Sequence, residues 1–325
     1  MKKIITVLLA CLTLSMASCA ELPEQSIDTD TEINTEAEAS TEAEKGTETE
    51  AKDDTEAKPD SSDKDNGSNE GNENNDDENE DTPVKKTYSI LFIGNSYTYY
   101  NTMPTDIFEK LVEAAGYNVE VTSITKGAHT LAKFADPADT YGKQVEEALT
   151  GTKKYDYVIL QEQSVTPASS NADSFYNAVR NLAARIRATG AEPILYSTWG
   201  RNEGSDTLDT YGWTTETMTW RLAAAYQAIG DELNIPVAHV GLAFYDVHTS
   251  TSINLYNSDK SHPSKAGSYL AAATLFAKIF NADPTEVAYR GSLSETNATT
   301  LRQAAKKAVF ETPAIPDEYK IVLGN

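Results

Sequence analysis

The chain has 325 residues, with 50 Asp and Glu against 27 Lys and Arg and a formal net charge of −23. This acidity excludes nucleic acid as a partner, because the protein and the phosphates would repel each other. The histidines form no pair with metal-ligand spacing to a cysteine or a carboxylate, so the sequence predicts no metal and no cofactor.

Residues 1–18 have the features of an export signal. Lys2 and Lys3 supply the positive start, residues 4–16 are apolar, and two small residues precede Cys19. The apolar run is too short to span a bilayer. Small residues directly before a cysteine resemble a bacterial lipobox, which implies cleavage before Cys19 and a lipid anchor on that cysteine. Plain secretion with cleavage nearby stays open, and in either case the protein is exported. We expect the anchored form on the extracellular face of a bacterial membrane, touching the membrane only through the lipid.

Residues 19–86 have the composition of a disordered tether. From residue 20 onward this segment contains 24 acidic and 6 basic residues and almost no aliphatic or aromatic side chains. It cannot form a core, and its charges repel each other. A flexible chain of this length reaches roughly 45 Å, which would hold a following domain away from the membrane.

Residues 87–325 alternate between strand and helix patterns and form the predicted folded domain. In chain order, the pattern predicts strand 88–93, helix 104–115, strand 118–124, helix 141–149, strand 155–160, helix 171–188, strand 193–197, helix 215–233, strand 235–240, and helices 264–279 and 295–309. Short apolar strands separated by helices predict an α/β fold, a three-layer α/β/α sandwich around a central five-stranded parallel sheet. Ligands bind such sheets beyond the carboxyl ends of the strands.

Two polar motifs follow these elements at opposite ends of the domain. A Gly-Asn-Ser triplet ending in Ser96 follows the first strand, and Asp259 and His262 precede Pro263 and the helix predicted from 264. Taken alone, the triplet is a common turn and the second motif is a polar loop with a helix cap. Together they indicate a nucleophile, a base and an orienting carboxylate, because a C-terminal loop can return to the carboxyl edge of a central first strand.

The order of these motifs, with serine first, Asp-x-x-His last and no G-x-S-x-G elbow, excludes the common α/β-hydrolase arrangement. It resembles the SGNH (GDSL-like) hydrolase superfamily over roughly residues 86–280. The resemblance implies a flavodoxin-like sheet, Ser96 as nucleophile, and Asp259 and His262 as its triad partners.

The same resemblance implies an oxyanion hole with one unusual member. The backbone amides of Ser96 and Gly127 match two of its donors. Where the family has Gly-x-Asn-Asp, this chain has Gln161, Glu162, Gln163 and Ser164. Gln163 falls at the asparagine position and carries the same amide donor, although Gln161 could serve instead. This chain is similar to a branch of the superfamily that has such a Gln-rich block.

Two further residues are candidate substrate contacts by their position. His129 lies two residues beyond Gly127, and Trp199 directly follows the fourth strand, where it could stack on a sugar ring or form part of a lid or core. His239 reads as a core or edge residue and His248 as a loop residue.

The resemblance therefore implies a serine esterase that transfers small acyl groups, such as acetyl, from a carbohydrate to water. Two alternatives stay open. The altered glutamine block is compatible with a non-catalytic glycan-binding lipoprotein on the same fold, and the same nucleophile could transfer its acyl group to a sugar acceptor. A membrane lipase is disfavoured for two reasons. The sequence shows no amphipathic surface helix, and anionic lipid headgroups would repel its acidic tether.

Overall fold

The computed structural model describes residues 85–323, and within that range a single parallel sheet runs through the centre of the fold. Its five strands are β1 (Thr87–Gly94), β2 (Asn118–Thr125), β3 (Tyr157–Leu160), β4 (Glu192–Tyr196) and β5 (Val237–Ala238). They lie in the order β2-β1-β3-β4-β5, with every pairing parallel. The predicted signal peptide, Cys19 and nearly all of the predicted tether lie outside the described residues.

Helices cover both faces of the sheet. They are α1 (Ser96–Tyr99), α2 (Glu109–Ala114), α3 (Leu131–Ala135), α4 (Thr140–Thr150), α5 (Ala172–Ala188), α6 (Asp206–Tyr211), α7 (Thr215–Leu233), α8 (Val240–Ser250), α9 (Lys265–Phe280) and α10 (Glu295–Phe310). A π-helical turn, Met103–Phe108, leads into α2. Among residues 85–323, no helix is both long enough and apolar enough to cross a membrane.

The interior strand β1, which lies between β2 and β3, explains why the sheet needs two covering layers. Its side chains alternate between the faces, with Ile90 and Phe92 in one hydrophobic cluster and Leu91 and Ile93 in the other. All four side chains are completely buried. A parallel strand covered on both faces has no polar side, which is why its sequence is a continuous apolar run. The predicted three-layer α/β/α fold with five parallel strands is confirmed.

One strand and several helices differ from the sequence prediction. The strand predicted at 235–240 contains only two ladder residues, and α8 begins at its end. Most of the first two turns of α8 are buried, so its apolar residues show no clear helical period. The short helices α3 and α6 were also missed, because one or two turns hold too few residues for a periodic pattern. The predicted helix 104–115 is π-wound in its first half.

The cap of α9 determines where the preceding Asp-x-x-His motif lies. Ser264 is the N-cap, and its Oγ accepts a hydrogen bond from the Gly267 amide at 3.2 Å. Its own hydroxyl donates to the Asn254 carbonyl at 2.8 Å, and its amide donates to the Leu255 carbonyl at 2.9 Å. The helix start is thus attached to the segment that precedes the motif.

We expect replacement of Phe276 in α9 by alanine to lower the free energy of unfolding by about 3–5 kcal/mol, because Phe276 is only 1% exposed and its removal leaves a cavity. Phe310→Ala in α10 is the matched control, since that ring is 43% exposed and its loss should cost less than about 1 kcal/mol. Urea unfolding followed by circular dichroism measures both, and equal losses would contradict this account of the core.

Candidate active site

The loop after β1 places Ser96 at the carboxyl edge of the sheet. Asn95 is the N-cap of α1, and its Oδ1 accepts a hydrogen bond from the Tyr97 amide at 3.1 Å. Its Nδ2 donates to the carbonyl of His129 at 3.1 Å. Gly94 has no room for a side chain, because a Cβ there would lie 2.4 Å from Thr98 Oγ1. The serine therefore sits on a turn that is held from both sides.

Gln161, directly after β3, is the main support of this turn. Its Oε1 accepts hydrogen bonds from the Asn95 amide and from Thr98 Oγ1, both at 2.8 Å. Its Nε2 donates to the backbone carbonyl of Glu162, and the side chain is completely buried. Because the side chain is completely buried beneath this turn, the alternative assignment of Gln161 to the oxyanion hole is wrong. The residue positions the nucleophile loop instead.

The Asp259–His262 loop folds so that the carboxylate and the imidazole meet. The Asn257 amide donates to the His262 carbonyl at 2.8 Å, and Pro263 forms an isolated antiparallel bridge with Tyr256. Asp259 Oδ2 lies 2.6 Å from His262 Nδ1. The second carboxylate oxygen of Asp259 accepts from the backbone amides of residues 261 and 262, each at 2.9 Å.

The other ring nitrogen of His262 reaches the serine, with Nε2 2.8 Å from Ser96 Oγ. Ser96, His262 and Asp259 thus form one hydrogen-bonded chain, although 166 residues separate the first two in sequence. Burial on its own would raise the pKa of Asp259, but the hydrogen bonds from His262 and from two backbone amides outweigh it and hold that pKa below its usual value. An ionised Asp259 keeps the proton on Nδ1, which leaves Nε2 free to accept the serine proton.

Two tyrosines beside the serine fix the imidazole ring. Tyr100 stacks on His262 with ring centroids 4.6 Å apart and planes 18° from parallel, and Tyr97 meets the same ring edge-on at 5.8 Å. Their spacing relative to the serine carried no signal of a contact with a distant histidine.

Three hydrogen-bond donors on the loops after β1, β2 and β3 have no protein acceptor among residues 85–323. The Lys126 amide donates to the Gly94 carbonyl at 3.2 Å, which attaches the following Gly127 to the nucleophile loop. Within residues 85–323, the amides of Ser96 and Gly127 donate to no protein acceptor. Gln163 Oε1 accepts from the amides of residues 165 and 166 at 2.8 and 3.1 Å, while its Nε2 has no partner in the described part of the chain. Of the two glutamines, Gln163 is therefore the one whose amide nitrogen has no protein acceptor in the described part of the chain.

Trp199 supports the site from below and does not contact a substrate. The indole is completely buried between Tyr97 and Phe244, with ring centroids 4.4 and 4.1 Å away and planes within 5° of parallel. Its Nε1 donates to the Ser261 carbonyl at 3.0 Å. The predicted stacking of Trp199 on a sugar is therefore wrong, because no face of the ring is open.

His129 also has a supporting position. The residue is 9% exposed, and Nε2 lies 3.0 Å from Asp139 Oδ1 at the start of α4. The expected substrate contact of His129 is therefore replaced by a structural role. Its backbone carbonyl accepts the hydrogen bond from Asn95 and so helps to hold the nucleophile turn. His239 bonds Gln227 Oε1 at 2.8 Å, and burial lowers the pKa of this histidine to about 4.

Sequence reasoning missed a polar network beneath the Asp-x-x-His loop. Ser261 Oγ lies 2.9 Å from the Tyr97 hydroxyl and accepts a hydrogen bond from Arg201. The second guanidinium nitrogen of Arg201 donates to Ser164 Oγ at 2.8 Å. Ser164 and Arg201 follow β3 and β4, so the strand-end rule that found Gln161 points to them as well. In the described part of the chain, no group of three or more His, Cys, Asp or Glu could hold a metal ion.

Glu162 is a completely buried carboxyl group beside this network. It accepts hydrogen bonds from the Gln163 amide at 2.6 Å and from the Leu131 amide at 3.0 Å, so it caps the start of α3. Burial raises the pKa of Glu162 from 4.5 to about 7, despite these two hydrogen bonds.

This raised pKa predicts a pH-dependent stability. Between pH 4.5 and about 7 the unfolded chain releases a proton that the folded protein keeps, so stability falls as pH rises through that window. The loss is complete above pH 7 and amounts to about 3 kcal/mol. Urea unfolding at pH 4 and pH 8 should show a larger pH-dependent loss for the wild type than for Glu162→Gln. Identical losses in the two proteins would contradict the prediction.

Comparisons with known proteins bear on the fold and on the superfamily. No family model matches the chain, and no curated protein does. A solved structure from Slackia heliotrinireducens, described provisionally as an SGNH hydrolase, is 30% identical with a TM-score of 0.52, over 60% of this chain and 100% of that one. A DUF4886 family protein from Bacteroides uniformis is 19% identical with a TM-score of 0.62, over 71% of this chain and 98% of its own. The second likeness concerns the fold alone.

Proposed function

The chain belongs to the SGNH hydrolase superfamily, and on that premise we propose that it is a serine esterase acting through Ser96, His262 and Asp259. One observation carries the proposal, namely the continuous chain of hydrogen bonds from Ser96 Oγ through the imidazole to the carboxylate. A hydroxyl, a base and a group that orients the base within hydrogen-bond reach are the requirements for a serine nucleophile.

In the acylation step, Ser96 Oγ attacks the carbonyl carbon of the ester and its proton passes to His262 Nε2. The tetrahedral intermediate then collapses, and the leaving alcohol takes that proton from the imidazole. In the second step, water attacks the acyl-serine, gives a proton to Nε2, and releases the carboxylic acid as the proton returns to Ser96. Asp259 stabilises the imidazolium that forms in each step.

The negative oxygen of both intermediates needs donors that the folded protein leaves free. We assign this role to the Ser96 amide, the Gly127 amide and Gln163 Nε2, none of which has a protein acceptor within residues 85–323. Donors that are held in place before the reaction stabilise the oxyanion without reorganisation. The bonds that Gln163 Oε1 accepts from two backbone amides hold its side chain for this purpose.

The proposed substrate is a small acyl ester, such as an acetyl group, on a carbohydrate outside the cell. Three features support this extension: the export signal with Cys19 as lipid anchor, the acidic segment 19–86, and the tyrosines beside Ser96. Tyr99 is 39% exposed, so an aromatic face is open to a sugar next to the nucleophile.

We expect Ser96→Ala and His262→Ala each to lower the hydrolysis of p-nitrophenyl acetate by at least about 10⁴-fold, because the nucleophile and its base act as a unit. His248→Ala is the matched control. That histidine bonds Glu203 at 3.0 Å and is not part of the Ser96–His262–Asp259 chain, so its loss should leave the rate unchanged. The rate of p-nitrophenol release measures all three variants in the full chain.

The outcomes of this assay separate the competing functions. Equal rates in the wild type and both alanine variants, together with no labelling of Ser96 by a fluorophosphonate, would replace the esterase with a glycan-binding protein. Labelling of Ser96 with product formed only when a sugar acceptor is added would replace hydrolysis with acyl transfer.

We expect Gln163→Glu to lower kcat by about 10²–10³-fold, because it replaces the amide donor by a carboxylate oxygen facing the oxyanion. Glutamate keeps the oxygen that accepts from the amides of residues 165 and 166, so the fold should be retained. Steady-state kinetics and urea unfolding on the same variant check both statements. An unchanged kcat would remove Gln163 from the oxyanion hole.

A further inference from the structure

A cavity of about 550 Å³ opens beside the Ser96–His262–Asp259 chain and is not used by the proposed chemistry. Its walls come from the segment after α1, from the start of α9, and from the loop before α10. The residues that carry the argument are Asn101, Thr102, Lys110, Lys265, Tyr289 and Arg290. Its volume falls within the usual range for ligand sites.

The cavity shares a wall with the active site. Asn101 lines it, and the preceding Tyr100 stacks on the His262 ring. Asn101 Nδ2 donates to the Pro263 carbonyl at 3.0 Å, directly after His262. Lys265 is three residues beyond His262, so the Cα atoms of the two are at most about 11 Å apart. The cavity is therefore lined by the residue that follows Tyr100 and by the residue three positions after His262.

The shared wall has an unusual backbone. Asn101 and Thr102 have φ values of 54° and 52°, two consecutive non-glycine residues in the left-handed region. The π-helical turn Met103–Phe108 follows at once. Strained residues and π-helical turns cluster at functional sites. This geometry points to the cavity independently of its volume.

The cavity is positively charged in a domain that is acidic. Residues 87–325 contain 26 Asp and Glu against 19 Lys and Arg. Around the cavity, Lys110 pairs with Asp106 at 2.5 Å, and Arg290 lies 3.8 Å from a Glu295 that is shared with the buried Arg302. Lys265 is exposed and forms no ion pair with any residue between 85 and 323. Of the side chains that line the cavity, Lys110, Lys265 and Arg290 are cationic and Asp106 is anionic.

An aromatic ring completes the recognition chemistry. Tyr289 is half-buried in the wall, and its carbonyl accepts a hydrogen bond from the Tyr269 hydroxyl at 2.6 Å, which fixes the segment that carries the ring. A tyrosine face suits a sugar ring, and Lys and Arg suit a carboxylate or a phosphate. A neutral sugar would form no ion pair with Lys265 or Arg290.

We propose that this cavity is a subsite for an anionic sugar unit, bearing a carboxylate or a phosphate, in the glycan whose acyl ester Ser96 cleaves. The inference rests on the proposed esterase function and adds the substrate class. Lys265 and Arg290 supply the charge, and Tyr289 supplies the stacking face.

The kinetic test compares acetate release by the full chain from an O-acetylated oligogalacturonide and from its methyl-esterified form, which has the same sugars without the charges. An O-acetylated phosphomannan oligosaccharide is the phosphate arm. We expect kcat/KM to favour the charged substrates by about tenfold, from charge-assisted hydrogen bonds to the two cations. The combined Lys265→Gln and Arg290→Gln variant should lose this ratio. The matched control is Lys154→Gln, an exposed lysine before β3 at the opposite edge of the sheet.

A binding measurement keeps the subsite testable without catalysis. Calorimetric titration of Ser96→Ala with non-acetylated oligogalacturonide and phosphomannan oligosaccharides should show binding that the added double substitution weakens about tenfold. Equal binding of charged and methyl-esterified oligosaccharides, or no effect of the double substitution, would overturn the subsite. Failure of the wild type to hydrolyse p-nitrophenyl acetate would instead overturn the esterase, so the two failures are distinguishable.

Discussion

The position of the nucleophile depends on one buried carboxamide. Gln161 accepts hydrogen bonds from the Asn95 amide and the Thr98 hydroxyl at 2.8 Å, so the end of β3 holds the turn that follows β1. An unpaired buried amide is costly, which restricts this turn to the conformation that satisfies the glutamine. Ser96 is presented at the carboxyl edge of the sheet because its two neighbours in the loop are held by the adjacent strand.

The histidine is positioned by a second, aromatic layer that lies beneath it. Trp199 stacks between Tyr97 and Phe244 and donates to the Ser261 carbonyl, while Arg201 bonds the Ser261 hydroxyl. The Asp-x-x-His loop therefore rests on rigid rings from the nucleophile turn and from the end of β4. A general base must remain within hydrogen-bond reach of its nucleophile, and this layer leaves the loop little freedom to move away.

The wrong expectations about Trp199, His129 and Gln161 have one physical cause. All three follow strands at the carboxyl edge, where a functional side chain and its support occupy neighbouring positions. The strand-end rule locates this edge, but it cannot say whether a side chain points outward to a ligand or inward beneath the loop. Burial decides the matter, since Trp199 and Gln161 are completely buried and His129 is 9% exposed.

The sequence by itself determined the layered α/β fold, the five parallel strands and the three polar residues Ser96, Asp259 and His262 that now form one chain. The fold follows from local pattern, because a doubly covered strand must be apolar. The three polar residues follow from the order of the two motifs and from the family resemblance that this order carries. Only the tertiary structure decided which glutamine supports the serine turn and which keeps a free amide. It also decided which aromatic rings are buried and that Lys265 and Arg290 line the same cavity. Such arrangements join segments that are distant along the chain.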